Sequence, residues 1–222
     1  MRTTLGSAMR WLLVPVSFAF MAVAQANLVT NGSFELGSHQ PNLFSTLGVG
    51  NTYMTGWTVM SGTVDWVKAP QFDASLGVNS VDLNGNTSSP SGSIEQTISS
   101  GLTAGHLYVV TFDMSGNPNG SLLSDPVRSL ELSVGGVSQS FTFDTSTVSG
   151  GISATNMGYI TQSFIFNAPG TGTTLTFLSQ DHTIYSAVID NVTLELVPEP
   201  SAMVLLGFGA LGIVSRRRAR AV

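Results

Sequence analysis

In the stretch LYVVTFDM, Tyr108, Val110 and Phe112 fall on one side of an extended chain, while Thr111 and Asp113 fall on the other. A period of two is what a half-buried strand produces, because successive side chains point to opposite faces of a sheet. The same alternation recurs in SLELSV (Leu130, Leu132, Val134), in QSFTFDT (Phe141, Phe143) and in DNVTLEL (Val192, Leu194, Leu196). Further strands are expected at NLVT, GWTVM, TVDWV, SVDL, SIEQTI, QSFIFN and TLTFLS, and a helical period is nowhere sustained. Turn chemistry separates these runs: Asn84-Gly85-Asn86, the GNPNG from Gly116 to Gly120, Gly135-Gly136, and PGTG from Pro169 to Gly172. Many short strands between frequent turns predict an all-β chain, one sandwich or jelly roll over residues 27–197, with no internal linker or fixed repeat.

Charge narrows the partners. Only 9% of residues are charged, and cysteine is absent, so packing must hold the core without disulfides or thiolate metal sites. Between Arg10 and Arg216 the chain has two cations, Lys68 and Arg128, against all thirteen acids, which leaves −11. Such a surface repels a phosphate backbone, so nucleic acid is not an expected partner. Divalent cations and neutral sugars suit it better.

The two ends read as addresses rather than as parts of that domain. MRTTLGSAMR, WLLVPVSFAFMAV and AQA follow one another as a positive region, an apolar region and a small-x-small cleavage site at Ala24-Gln25-Ala26. Residues 1–26 are therefore expected to be a signal peptide, with the mature chain starting at Asn27. At the other end Ala202–Val214 is a thirteen-residue apolar run. As a helix it reaches about 20 Å, short of a roughly 30 Å hydrocarbon core, so it predicts a short transmembrane helix fit for transient insertion. Arg216, Arg217, Arg218 and Arg220 would stay on the cytoplasmic side.

Pro198-Glu199-Pro200, the short apolar helix and the arginine cluster together resemble the PEP-CTERM sorting signal over residues 198–222. That resemblance implies a Gram-negative, exopolysaccharide-making host and processing by an exosortase-type membrane enzyme. The protein would be tethered to the inner membrane in transit and then reach the cell surface or extracellular matrix. The domain itself, through NLVTNGSFE, TGWTVMSGTVDW, SVDLNGN, GSIEQTI, YVVTFDMSGNP, NMGYITQSFIFNA and AVIDNVTLELV, resembles the choice-of-anchor C family. That resemblance implies a galactose-binding-like jelly-roll sandwich at the cell surface and carries no settled activity.

Candidate site residues follow. Asp190 shares the parity of Val188, Val192, Leu194 and Leu196, so regular alternation points it to the core side, where an ionised carboxylate needs partners. With so few cations in the domain, an ion from solution is a natural counter-charge, and oxygen-only ligands suit calcium. The galactose-binding-like resemblance implies a structural calcium joining the first and last strands, and Glu35 and Asp190 match the acids by position. The alternative reading has Asp190 capping a turn and Glu35 exposed. SVDLNGNTSSP, with Asp82, Asn84 and Asn86, departs from a calcium loop and reads as a turn after a strand. Trp57 and Trp66 read either as a sugar-stacking platform or as core aromatics.

Gly-x-Ser-x-Gly, His-Glu-x-x-His and P-loop patterns are missing, and His39, His106 and His182 show no metal spacing. The expected function is non-enzymatic: an exported surface or matrix β-sandwich associated with extracellular polysaccharide. A purely structural biofilm protein is the alternative. A glycoside-active enzyme would require an acid pair at about 5–9 Å in a cleft.

Overall fold

The structure, a computed structural model, describes residues 26–122 and 125–198. The expected signal-peptide residues through Gln25, including Ala24, and the tail from Glu199 onward, including Pro200 and Arg216–Arg218, lie outside the described residues.

Among the described residues eleven strands form two antiparallel sheets. They are β1 (Phe44–Gly48), β2 (Thr58–Ser61), β3 (Thr63–Lys68), β4 (Asn79–Asp82), β5 (Ser93–Ile98) and β6 (Leu107–Gly116), then β7 (Val127–Val134), β8 (Val137–Asp144), β9 (Ile160–Asn167), β10 (Thr173–Ser179) and β11 (Ala187–Leu196). One sheet has the order β1-β3-β4-β11-β6-β9 and the other β2-β5-β10-β7-β8. The chain is a β-sandwich, as the alternation predicts.

The period-two pattern explains the packing. In β7, Leu130, Leu132 and Val134 are buried while Ser129, Glu131 and Ser133 are half-exposed. Between the sheets a line of rings runs through the core: Phe34 lies 5.4 Å from Trp57, which lies 6.2 Å from Phe177. Phe112 then meets Phe177 and Phe141 edge-on, each at 5.1 Å. Tilted and edge-to-face arrangements suit the ring quadrupole and add to the burial itself.

Two elements differ from the sequence expectation. NLVT is no regular strand. Leu28 N–H donates to Leu194 O, the Asn27 side chain accepts from Leu194 N–H, and Val192 N–H donates to Gly32 O. β4 pairs with β11 only at Val188 and Ile189, so the flank of β11 beyond them is free, and this irregular N-terminal segment occupies it. The unforeseen strand is β1, an edge strand pairing with β3, whose FSTLG shows no clean alternation.

The NGSFE segment that follows is a structural plug. Asn31 and Phe34 have positive φ (54° and 57°), and Phe34 is fully buried. Their carbonyls accept the indole N–H groups of Trp57 (3.1 Å) and Trp66 (3.0 Å). Buried indoles need such partners, and here the plug supplies both.

Candidate functional site

The outer face of the six-stranded sheet carries a group of acids, Asp65, Asp82, Asp113 and Asp190. Pairing registers place Thr46, Asp65, Asp82, Val188 and Ser115 in one row across the strands. The next row runs Phe44, Val67, Ser80 and, continuing over β11, β6 and β9, Asp190, Asp113 and Thr161. Part of this face is roofed. The β3–β4 loop and the segment before β9 meet there through Asp73 N–H donating to Ala154 O, and they cover Val67 and Val188 with Phe72, Met157 and Tyr159.

Asp190 therefore does not point where regular alternation put it. The β11–β6 register slips between Asp190 and Thr193, and Asn191 takes φ 50°. This bulge restores Val192 and Leu194 to the inter-sheet core while turning Asp190 to the opposite face. Asp190 is nonetheless fully buried, under the β3–β4 loop. Its oxygens accept from Leu76 N–H (2.7 Å) and Asn191 N–H (2.6 Å). Burial pushes its carboxyl up to about 7 against these backbone donors, and the charge of Glu35 adds to the rise. Beside it, burial also raises Asp113, but hydrogen bonds from Ser75, Thr161 and Asn191 outweigh this and hold it below its usual range.

Glu35 is half-buried rather than exposed. One oxygen accepts from Val78 and Asn79 N–H, both at 2.7 Å, and the other from Asn79 Nδ2 at 3.2 Å. A Cβ at Gly77 would lie 2.4 Å from that first oxygen, so glycine is required there. The Asn79 side-chain oxygen is buried beside Glu35 without a partner. Among the described residues no three His, Asp or Glu side chains are arranged to hold a metal.

Trp57 and Trp66 require a correction. They are 1% and 0% exposed, so neither presents a ring face to a ligand. Inward alternation on β3 and just before β2 commits both to the core.

Next to the roof, at the β1–β3 side, lies a groove of about 170 Å³. Phe44 and Ile184 are exposed at its rim and Tyr185 is half-buried, with Phe72 forming part of the wall. Its polar groups are Asp65, Gln71, Asn117 and Asn119. Thr46 Oγ1 donates to Asp65 at 2.5 Å, and burial raises the Asp65 carboxyl in spite of that bond. Beneath the groove Asp82 is 1% exposed. It accepts from Ser186 Oγ (2.6 Å), Asn117 Nδ2 (2.6 Å) and Asn84 N–H (3.1 Å). Burial nevertheless pushes it up to about 7, and the neighbouring charge of Asp65 contributes to the rise.

Asp65 and Asp82 are thus a cross-strand acid pair at a cleft, the feature a glycosidase would need. Asp82, however, is sealed by its three donors and cannot reach a glycosidic oxygen. The larger concavity, about 400 Å³ around Asp125, Ser129, Asp181 and His182, is lined by no Phe, Tyr or Trp ring, and Asp181 is already held by Ser129 and Ala187 N–H. The smaller groove combines ring faces with polar groups, and its residues come from several separate segments. Sequence periodicity could not bring them together, and β1, which carries Phe44, shows no clean alternation to mark it.

Comparison with known proteins gives the following. A stretch of 100 residues, 44% of this chain, is 41% identical to part of Halomucin from Haloquadratum walsbyi and spans 1% of that protein's length. Similar solved structures include the CBM22-1 xylan-binding domain from Paenibacillus barcinonensis, at 16% identity and TM-score 0.45 over 80% of this chain and 99% of that one. Another is a family 16 carbohydrate-binding module, at 15% identity and TM-score 0.44 over 76% and 99%. Residues 196–218 match the PEP-CTERM protein-sorting motif, so the C-terminal tail is a sorting signal. Residues 27–195 match the family described as a protein of unknown function, DUF642, and the chain belongs to that family.

Proposed function

We propose that this protein is an exported, non-catalytic surface module that binds a neutral polysaccharide in the groove between Phe44 and Tyr185. The observation that carries this reading is the groove itself: ring faces at the rim, with carboxylate and amide groups within the same concavity. Sugar rings stack on aromatic faces through their C–H surfaces, while hydroxyls need acceptors and donors at fixed positions. The anionic surroundings favour a neutral chain over an acidic one. The sorting tail supports delivery to the cell surface or matrix, with an exosortase-type enzyme as processing partner, transit at the inner membrane, and host exopolysaccharide as the natural ligand.

The test is retention of the purified protein on neutral polysaccharides, including the host's own. Retention is expected and should fall roughly tenfold for Phe44→Ala, the effect of about 1.4 kcal/mol. Phe44 is 53% exposed, so this change should leave the melting temperature unaltered. Failure to bind any neutral glycan would favour the purely structural surface role.

A structural calcium between Glu35 and Asp190 belongs to the same reading. Its support is the unpartnered Asn79 oxygen beside Glu35 and the mutual repulsion of the two acids. Against it stand the N–H donors that already meet both carboxylates. Bound there, the ion would supply counter-charge. Added calcium should then raise the melting temperature and EDTA lower it, by mass action. Identical melting curves in both would remove the ion.

A further inference from the structure

Asp82 binds the turn that follows its own strand and two other segments of chain, and each of them continues into the groove. Asn84 N–H, which it accepts, precedes Gly85; Asn117 precedes Asn119; and Ser186 follows Ile184 and Tyr185. The Asn117 segment is bound elsewhere too: its N–H donates to Ser186 O and its side-chain oxygen accepts from Asn119 N–H. With the oxygen so engaged, the Asn117 amide nitrogen must face Asp82. We propose that Asp82 is the positioning residue of the groove, its ionised form holding these three walls together, and that uptake of one proton there loosens them. This rests on the reading of the groove as the binding site and adds how that site is regulated.

The donor inventory shows why one proton matters. An ionised carboxylate accepts all three bonds, each charge-assisted. A protonated one must itself donate. Asn84 N–H and the Asn117 amide nitrogen are donors only, so Ser186 alone can reverse, turning its own hydroxyl to Ala187 O, already 3.3 Å away. The bonds to Asn84 and Asn117 remain but lose their charge assistance. The charged and titratable groups around Asp82 are Asp65 opposite it on β3, Asp181 and Tyr185 in the loop before β11, and Arg128 at the start of β7 behind Gly116 and Gly120. Burial and the Asp65 charge oppose ionisation, so the change falls near neutral pH.

The experiment follows the Asn117 side-chain amide by NMR in the full chain, without sugar, from pH 5 to 9. The expected result is a titration with a midpoint in the neutral range that disappears in Asp82→Asn. A side-chain amide at residue 82 turns a donor toward one of three donors and releases the Asn117 clamp. Should that variant not fold, Ser186→Ala supplies the second reading. Loss of one donor to the ionised form should move the midpoint upward by about one unit. An amide signal that stays flat across this range in the wild type, or a midpoint unmoved in Ser186→Ala, overturns the proposal. Neither outcome depends on a sugar being bound, so the groove can fail as a sugar site while this result stands. If a neutral glycan is retained, retention should be stronger at pH 8 than at pH 6.

Discussion

Gly32 offers the sharpest test of how the N-terminal segment is held. A Cβ at this position would stand 1.9 Å from the carbonyl oxygen of Val192, where real contacts stay above 3.0 Å. Alanine there must push the segment away from β11 by about 1 Å, because the neighbour is backbone and close-packed. The first loss is the Val192 N–H bond to Gly32 O at 2.9 Å, and the Leu28 N–H bond to Leu194 O at 2.9 Å is strained with it. Each is worth roughly 1 kcal/mol net. The displaced plug also carries the fully buried Phe34 and the carbonyls that serve both indoles. A total of about 3 kcal/mol follows, which for a domain of this size is roughly 6–12 °C in Tm. Thermal unfolding followed by circular dichroism reads it directly. Gly48→Ala is the control, since nothing lies within 4 Å of its Cβ position, and it should stay near the wild type. A Gly32→Ala protein melting within about 2 °C of wild type would show that the segment does not need its contact with β11.

Two further outcomes follow from the same structure. Asp82 and Asp190 are both raised from 3.8 to about 7, so the folded state holds protons that the unfolded chain has already released. Their contribution is fully present below pH 3.8, is lost as pH rises through about 7, and is on the order of 4 kcal/mol each. Tm should accordingly be higher at pH 5 than at pH 8; the reverse order would contradict the burial argument. Trp57→Ala should cost about 3–5 kcal/mol in a chemical denaturation series, the penalty of a large core cavity. A Trp57→Ala protein of unaltered stability would return that indole to the surface.

Much of the sandwich was legible because burial on one face leaves a period of two that nothing else imitates. LYVVTFDM, SLELSV and QSFTFDT could be read with their inward faces correct. The failures have local causes. β1 is an exposed edge, so its residues need not alternate. Asp190 was assigned by counting through Asn191, and counting fails at a bulge; the clue available was an asparagine, which tolerates positive φ, directly after the acid. Trp57 and Trp66 were ambiguous because a ring beside polar neighbours looks alike whether it faces in or out. The groove was invisible for another reason. Phe44, Asp65, Asn117 and Tyr185 are far apart in the chain and meet only through the order of strands in the sheet.

That order has a consequence for how the protein is made. β11 stands between β4 and β6, so until it arrives the trio β1-β3-β4 and the pair β6-β9 have nothing to join them. Of the described strands this joining piece is synthesised last, with the sorting motif beginning at residue 196, where the strand ends. The six-stranded sheet can therefore be completed only late in synthesis, and such non-local pairing is the slow part of assembly. The sorting label thus follows directly on the strand that closes the sheet.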